Sequence, residues 1–199
     1  TPPLSKMKNF IKKRINIKPH GRIFLNERVK NEMNFSDNVP FIYRDMGIDK
    51  GFFSSDNSKK KYDILYCGTF IRRPGLIQTI EELANKNLSI ALIGNINDQQ
   101  KETLKKFSNI KFFGTLDRKN IYSIYKQSKI GLNFTPDIYP YNIQTSTKVL
   151  EYIASGLGIL TNSYYWIDNF EKKSSSSFLY YNKSLDINNI LNFDYKNPN

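Results

Sequence analysis

The feature that most constrains the fold is a regular alternation, from Tyr62 onward, of short apolar segments with longer segments whose apolar side chains recur at helical spacing. The short segments predict strands over residues 62–68, 88–93, 110–113, 129–134, 158–161 and 178–181. The longer segments predict helices over residues 76–84, 98–107, 118–127, 165–170 and 185–191, and one more between Thr145 and Gly156. Because apolar strands joined by right-handed helical crossovers form parallel sheets covered on both faces, the sequence predicts an α/β fold with a doubly wound, Rossmann-like parallel sheet.

Length and composition limit what else the chain contains. Its 199 residues are enough for one domain of ordinary size with extensions, and a hydrophobic fraction of 39% is enough to fill a core. We predict a basic N-terminal segment over residues 1–60 and a Rossmann-like domain over residues 61–199. The longest apolar runs are far shorter than the roughly 18–20 residues that cross a bilayer. The first residue is Thr1 rather than Met, so we expect an internal cut in a longer protein.

The net charge of +12 is unevenly distributed, because residues 1–22 carry seven Lys and Arg and no Asp or Glu. A basic chain favours nucleic acid, anionic membranes or phosphorylated ligands as partners. We do not expect nucleic acid, since no signature of a nucleic-acid-binding module accompanies the basic residues. His20 and Cys67 are the only residues of their types, which excludes a His/Cys metal cluster and an internal disulfide. Cys67 lies within an apolar strand pattern and is expected to be a small core residue.

The N-terminal third has weaker patterns. Residues 5–15 place apolar side chains at helical spacing among lysines. This pattern is typical either of a basic helix on a membrane surface or of a connecting helix that packs on a domain absent from the chain, and we favour the second. A strand, a helix and a strand are predicted over residues 22–25, 26–33 and 39–43, and a polar loop over residues 51–61.

One predicted helix, within residues 144–162, carries polar side chains that suit a ligand. The residues that could cap its start are Thr145, Ser146 and Thr147. Gly156 suits its end, and Lys148 and Glu151 lie on the face opposite the apolar stripe. A cation and a carboxylate beside the free amides of a helix start suit a phosphate and a polyhydroxy ligand. The alternative is a solvated salt bridge between the two side chains.

The sequence of this segment over residues 147–161 is TKVLEYIASGLGILT. It resembles the TK-x-x-EY-x-A-x-G-x-P-[VI]-[VI] segment of GT-B glycosyltransferases of family 4 and its relatives, which lies in their C-terminal, donor-binding domain. The resemblance implies that Glu151 holds the ribose of a nucleotide sugar and that the helix start with Lys148 faces the diphosphate. By order of elements it covers roughly residues 22–182, so the segment before residue 60 would be a remnant of the N-terminal domain and the linker.

The loop after the first predicted strand, GTFIRRPG over residues 68–75, is neither a dinucleotide fingerprint nor a Walker A loop. In the resembled family a G-R-L-x-x-x-K-G loop stands here and neutralises the diphosphate. The matching glycines are Gly68 and Gly75. Because Thr69 and Pro74 replace the family's Arg and Lys, the candidates for a phosphate contact are Arg72 and Arg73. The alternative is that both arginines are exposed loop charges.

The resemblance also implies a base site and a reaction. The backbone of Thr115 and Leu116, after Gly114, would contact the base. The reaction would be transfer of a hexosyl-type sugar from a nucleoside diphosphate sugar, with a UDP-sugar the expected donor and without a cofactor. The chain has no D-x-D pair of the kind that metal-dependent GT-A enzymes use, and we expect no metal site. Catalytic and acceptor-side residues would come from the N-terminal domain, so we expect donor binding but no turnover by this chain alone.

The sequence departs from the family at one more position. Many members hold the donor sugar with a second glutamate eight residues before the one that matches Glu151, and Ile143 stands there in this chain. The sugar and the stereochemical outcome therefore stay open. A non-catalytic GT-B-like module that binds a partner or a nucleotide is the main alternative function. An epimerase or dehydrogenase of similar fold is a third, although the chain lacks their phosphate fingerprint.

The preferred hypothesis is the donor-binding half of a glycosyltransferase. Its acceptor would be a glycan or a lipid-linked glycan in the synthesis of surface polysaccharide or a related glycan. We expect a cytoplasmic protein, with peripheral contact to the cytoplasmic face of a membrane suggested by its basic character and by analogy with the family.

Overall fold

The computed structural model describes Met7, Phe10 and residues 19–35, 38–53, 58–71 and 73–198. The chain divides into two compact units, one formed by residues up to 47 with residues 143–145, the other by residues 48–142 with the chain from residue 146 onward. The predicted helix over residues 5–15 lies largely outside the described residues, and the domain boundary predicted at residue 60 stays a prediction.

The first unit contains a small parallel sheet and one helix. Strands β1 (Arg22–Phe24) and β2 (Phe41–Tyr43) are connected through helix α1 (Glu27–Met33). The Asn26 side chain caps α1 by accepting from the Val29 amide at 2.9 Å, as the preference for Asn at helix starts predicts. These elements agree with the strand, helix and strand predicted from the sequence.

The second unit is built on a six-stranded sheet in the order β5-β4-β3-β6-β7-β8, in which every pair of neighbours is parallel. Its strands are β3 (Tyr62–Cys67), β4 (Ile90–Ile93), β5 (Ile110–Gly114), β6 (Ser128–Asn133), β7 (Gly158–Thr161) and β8 (Leu179–Tyr180). Its helices are α2 (Leu76–Asn85), α3 (Asp98–Lys105), α4 (Arg118–Lys126), α5 (Thr147–Ala154), α6 (Tyr165–Ser174) and α7 (Ile187–Leu191). The predicted doubly wound α/β fold is confirmed. The chain reverses its direction across the sheet between β3 and β6, which makes that gap the switch point where such folds bind ligands.

Alternation along the central strand explains why both faces of the sheet are covered. In β3, Ile64 and Tyr66 pack into one apolar cluster with Leu83 of α2. The intervening Leu65 packs into a second cluster on the opposite face, with Tyr152 of α5. All five side chains are fully buried. A stretch that is buried on both sides is apolar at successive positions, as Ile64, Leu65 and Tyr66 are, whereas the polar Asp63 lies before it and is only partly buried.

At the switch point a tyrosine fills the gap between two strands. Pairing of β3 with β6 ends at Leu65 and Gly131, two residues before each strand ends. The Tyr152 hydroxyl accepts from the Cys67 amide at 3.1 Å and donates to the Leu132 carbonyl oxygen at 3.4 Å. Gly131 makes room for the ring, since a methyl group there would lie 2.2 Å from it. The phenol therefore satisfies two backbone groups that parting of the strands would leave without partners.

The prediction of a loop over residues 51–61 is wrong at the start of that range. Lys50–Phe53 forms a 3-10 helix in which Phe52 is buried against the rings of Tyr122 and Tyr125, with centroid distances of 4.7 and 5.0 Å. Close approach depends on Gly51, where a methyl group would lie 2.2 Å from the Tyr122 ring. The polar composition of the segment did not predict this packing, because a single aromatic side chain, Phe52, makes the buried contacts.

The sequence contains no apolar run long enough to cross a bilayer. Within the described part of the chain, none of the helices has the length and apolar character needed to cross a bilayer.

We predict that Tyr152→Phe lowers the free energy of unfolding by about 1–3 kcal/mol, because it leaves the Cys67 amide buried without an acceptor. Urea denaturation checks this, with Tyr139→Phe as the control because Tyr139 is 63% exposed. Equal stability of the two variants would contradict the bridging role.

Candidate functional site

A cavity of about 340 Å³ opens at the switch point of the second unit. Its lining residues are Phe52, Cys67, Gly68, Arg118, Ile121, Thr147, Lys148 and Glu151. The end of β3 and the start of α5 contribute most of these residues. The cavity is thus built from a strand end, a helix start and one face of α4.

The start of α5 is fixed by a polar network at the ends of β6 and β7. The Ser146 hydroxyl accepts from the Val149 amide at 3.4 Å, which makes Ser146 the N-cap among the three predicted candidates. It donates to the buried Asn133 side-chain oxygen at 3.1 Å. The Asn133 amide group in turn donates to Thr161 and Tyr164, at 2.9 and 3.0 Å. Because these partners are satisfied and buried, the helix start is held in place before any ligand arrives.

Lys148 brings a cation to this helix start without a carboxylate beside it. Its ammonium group lies 5.8 Å from the centre of the Tyr66 ring and next to Gly68, and no described Asp or Glu is within ion-pair distance. Burial and, to a smaller extent, the nearby Arg73 guanidinium lower the pKa of Lys148 to about 8. The backbone amides of Thr147 and Lys148 also have no acceptor among the described residues. Positive charge and two free donors thus converge at one end of the cavity.

Arg73 adds a second cation near Lys148. Its guanidinium donates to the Phe134 carbonyl oxygen at 2.8 Å and to the Thr135 hydroxyl at 3.1 Å. These two bonds use one nitrogen and leave the other guanidinium donors available. Arg73 is therefore a partly buried, oriented group rather than a free loop charge, and Arg72 lies outside the described residues.

Glu151 lies one turn after Lys148 and lines the same cavity. The buried Tyr125 hydroxyl donates to its Oε2 atom at 3.2 Å. Burial raises the pKa of the Glu151 carboxyl, while this hydrogen bond and the cations Arg118 and Lys148 lower it. Arg118 lies at the rim, where it forms an ion pair with Asp49 at 3.1 Å. Glu151 can therefore accept from ligand hydroxyl groups without being neutralised by a direct ion pair.

Three glycines form a side-chain-free shelf across adjacent strand ends. Gly68, Gly94 and Gly114 follow or end β3, β4 and β5, and all have positive φ values, of 152°, 131° and 65°. Hydrogen bonds join them, from the Gly68 amide to the Ile93 carbonyl oxygen at 3.0 Å and from the Gly94 amide to the Gly114 carbonyl oxygen at 2.8 Å. A methyl group at Gly94 would lie 2.0 Å from the Gly68 carbonyl oxygen. The shelf runs from Lys148 towards the loop after β5.

The structure brings some of the predicted site residues together and separates others. Four of them line the cavity: Gly68, Thr147, Lys148 and Glu151. Ser146 and Arg73 are not lining residues. Ser146 caps the helix that carries Lys148, and Arg73 lies near enough to lower the Lys148 pKa. Thr145 belongs to the first unit, where its hydroxyl donates to Asp45 at 2.6 Å. Thr115 is exposed and Leu116 is partly buried at the far end of the glycine shelf, and neither lines the cavity.

The sequence alone did not indicate several cavity residues. Phe52 lies in a segment predicted as a loop, and Cys67, expected in the core, is only partly buried and lines the cavity. Arg118 and Ile121 lie on α4, a helix that was predicted, but the sequence did not show that these two side chains line a cavity. Their contribution depends on contacts between residues far apart in sequence, such as Arg118 with Asp49. No local pattern reports such contacts.

The arrangement suits a ligand with an anionic part and a hydroxyl-rich part. Cations and free amides lie at one end, a carboxylate lies one helical turn away, and a backbone shelf leads to an apolar residue. Within the described ranges, no three His, Cys, Asp or Glu side chains are placed to hold one metal ion.

Comparisons with known proteins bear on the fold. No protein-family model matches the chain, and no curated protein matches it either. AviGT4, a glycosyltransferase involved in avilamycin A biosynthesis, has a similar structure with a TM-score of 0.63 and 13% identity, over 87% of this chain and 55% of its own. HepE of Anabaena in complex with UDP-glucose gives 0.67 and 11%, over 94% and 57%. TarM gives 0.63 and 13%, over 93% and 37%.

 A TarM mutant of S. aureus in a complex that contains UDP gives 0.61 and 14%, over 94% of this chain and 38% of its own.

These likenesses concern the fold. At identities this low they show the fold alone, a Rossmann-like α/β sheet. The fold is that of one half of a GT-B glycosyltransferase, as the resemblance to the C-terminal domain predicted. The chain spans between about a third and somewhat over half of the length of these neighbours.

We predict that the stability of the chain rises with pH above about 8 in a way that depends on Lys148. Its pKa is about 8 in the folded state and close to the ordinary 10.5 when unfolded, so the unfolded state binds more protons between these values. Lys148→Met should therefore be more stable than the unmodified chain at pH 7, by about 1–3 kcal/mol, with an advantage that shrinks towards pH 10.

Denaturant unfolding at several pH values measures this difference, and subtraction removes the titration of the other groups. Lys119→Met is the matched control, because Lys119 is exposed on α4. A constant difference between the chain and Lys148→Met across this pH range would show that Lys148 titrates like an exposed lysine.

Proposed function

We propose that this chain is the donor-binding domain of a glycosyltransferase and that its cavity binds a nucleoside diphosphate sugar, with a UDP-sugar the expected donor. The observation that carries the proposal is the partly buried Lys148, which has no described carboxylate beside it and lies next to two free helix amides. Glu151, one turn away, supplies an acceptor for sugar hydroxyl groups. Structures of HepE with UDP-glucose and of a TarM mutant with UDP add support, since both share this fold.

The diphosphate would lie at the start of α5. There the amides of Thr147 and Lys148, the Lys148 ammonium and the Arg73 guanidinium can all donate to phosphate oxygens. Negative charge develops on this diphosphate as the bond to the sugar breaks. Donors that are already in place stabilise that charge without reorganising, which is how such a site would lower the barrier.

The nucleoside would extend away from the diphosphate along the shelf of three glycines. Glu151 would accept from the ribose hydroxyl groups, and the base would lie near the backbone of Thr115 and Leu116. The shelf supports this placement because the residues at these three neighbouring strand ends carry no side chains of their own.

The remaining parts of the proposal concern the complete protein. We expect a glycan or lipid-linked acceptor in the synthesis of a surface polysaccharide, bound mainly by residues outside this chain. We expect no requirement for a metal ion or other cofactor, because Lys148, Arg73 and the helix amides supply the positive charge that the diphosphate needs. Location in the cytoplasm, with peripheral contact to a membrane, belongs to the same proposal.

The test is a binding panel of UDP, GDP, ADP and CMP and their common sugars, without added metal. We predict that UDP raises the melting temperature of the chain, since a ligand that binds only the folded state stabilises it. Glu151→Ala should weaken UDP binding by about tenfold or more while leaving inorganic pyrophosphate binding intact. Lys148→Met should weaken both, because it removes a charge that both ligands contact.

Glu102→Ala is the matched control, since Glu102 is an exposed carboxylate on α3 whose ion pair with Lys105 lies at the surface. It should bind UDP like the unmodified chain. If no nucleotide in the panel stabilises the chain, the donor-binding proposal fails and a non-catalytic module becomes the better explanation.

A further inference from the structure

A buried phenol lies directly behind the Glu151 carboxylate. Tyr125, on α4, has no exposed surface, and its ring lies between those of Phe52 and Tyr152, with centroid distances of 5.0 and 5.3 Å. Its hydroxyl donates to Glu151 Oε2 at 3.2 Å. Since the ring is enclosed by aromatic neighbours, the hydroxyl has a fixed position and direction.

This contact leaves Glu151 half satisfied. No described residue donates to the second carboxylate oxygen, Oε1, although an ionised carboxylate can accept about four hydrogen bonds. Arg118, the nearest cation on the same helix as Tyr125, is bound to Asp49 instead. One oxygen is thus held by the protein and the other is left to accept from a ligand in the cavity.

A glutamate side chain loses considerable rotational freedom when a ligand fixes it. A hydrogen bond from a rigid, buried donor restricts this freedom before the ligand binds, so less affinity is lost on binding. The Cys67 side chain also interacts with the Tyr125 hydroxyl, but sulfur is a weak acceptor. The Glu151 carboxylate is therefore the stronger acceptor for the hydroxyl proton.

We propose that Tyr125 is a positioning residue, which orients the Glu151 carboxylate so that the site selects nucleotides with an intact ribose diol over nucleotides without one. The inference rests on the proposed function of the cavity. Tyr125 itself does not contact the nucleotide.

The first experiment compares UDP with 2′,3′-dideoxy-UDP by calorimetry on the full chain and on Tyr125→Phe. The unmodified chain should prefer UDP by about tenfold or more, as expected for hydrogen bonds to a charged group. Tyr125→Phe should lose about tenfold in UDP affinity and nothing in dideoxy-UDP affinity, so that the preference contracts. Equal weakening of both nucleotides, or an unchanged preference, would overturn the positioning role.

Tyr180→Phe is the matched control. Tyr180 donates to Glu171 at 2.7 Å, a bond of the same chemical type on α6 and β8, and neither residue lines the cavity. This variant removes a comparable tyrosine–glutamate bond and should leave the preference for UDP unchanged. A contraction of the preference in Tyr180→Phe as well would show that the effect is general destabilisation, and would overturn the inference.

A second measurement needs no ligand and separates the inference from the proposed function. The groups that act on Glu151 are Tyr125, Arg118, Lys148 and Asp49. Among these, the Tyr125 hydrogen bond lowers the Glu151 pKa, so Tyr125→Phe should raise it, as followed by carbon NMR of the labelled carboxyl group. An unchanged pKa would overturn the inference. A raised pKa in a chain that binds no UDP would support the positioning of Glu151 while the nucleotide proposal failed.

Discussion

The candidate site depends on how the Tyr152 phenol closes the inner end of the gap between β3 and β6. A sheet that parts to form a cleft leaves backbone groups without partners, and in this chain those groups are the Cys67 amide and the Leu132 carbonyl. Tyr152 satisfies both from α5, the helix that also carries Lys148 and Glu151. Lys148 and Glu151 lie three positions apart on this helix and share one of its faces. Because Tyr152 anchors the same helix to both strands, it fixes where these two side chains lie in the cavity.

Cations of the second unit differ in whether a carboxylate lies beside them. Lys129 pairs with Asp63, and Arg118, at the rim of the cavity, pairs with Asp49. Inside the cavity Lys148 has no described carboxylate beside it, and its lowered pKa records the resulting cost of holding a desolvated charge. Local instability of this kind is common where a protein is complementary to a ligand rather than to itself. A diphosphate would supply the missing negative charge and relieve this cost.

Much of the fold could be predicted because it depends on local pattern. Strands buried on both faces are mostly apolar. The helix start at Ser146 and its end near Gly156 use side-chain and backbone preferences that act over a few residues. The support of the site could not be predicted, because it depends on contacts between distant segments. Tyr125 reaches Glu151 across 26 residues, and Arg73 reaches the Phe134 carbonyl across 61. The sequence offered Arg73 as a candidate phosphate contact or an exposed loop charge, and it gave no sign of the bond between Tyr125 and Glu151.

The close approach of Gly94 to Gly68 limits which residues can replace either glycine. A side chain at Gly94 would collide with the Gly68 carbonyl, and Gly68 in turn packs against the Lys148 side chain. The two loops can therefore accept larger residues only through coordinated change, and a single substitution in either would disturb the position of the cation. At the outer end of the shelf a methyl group on Gly114 would meet open space, and the obstacle to a side chain there is the φ of 65° rather than a collision. New ligand preferences in descendants of this chain would thus arise first at that end.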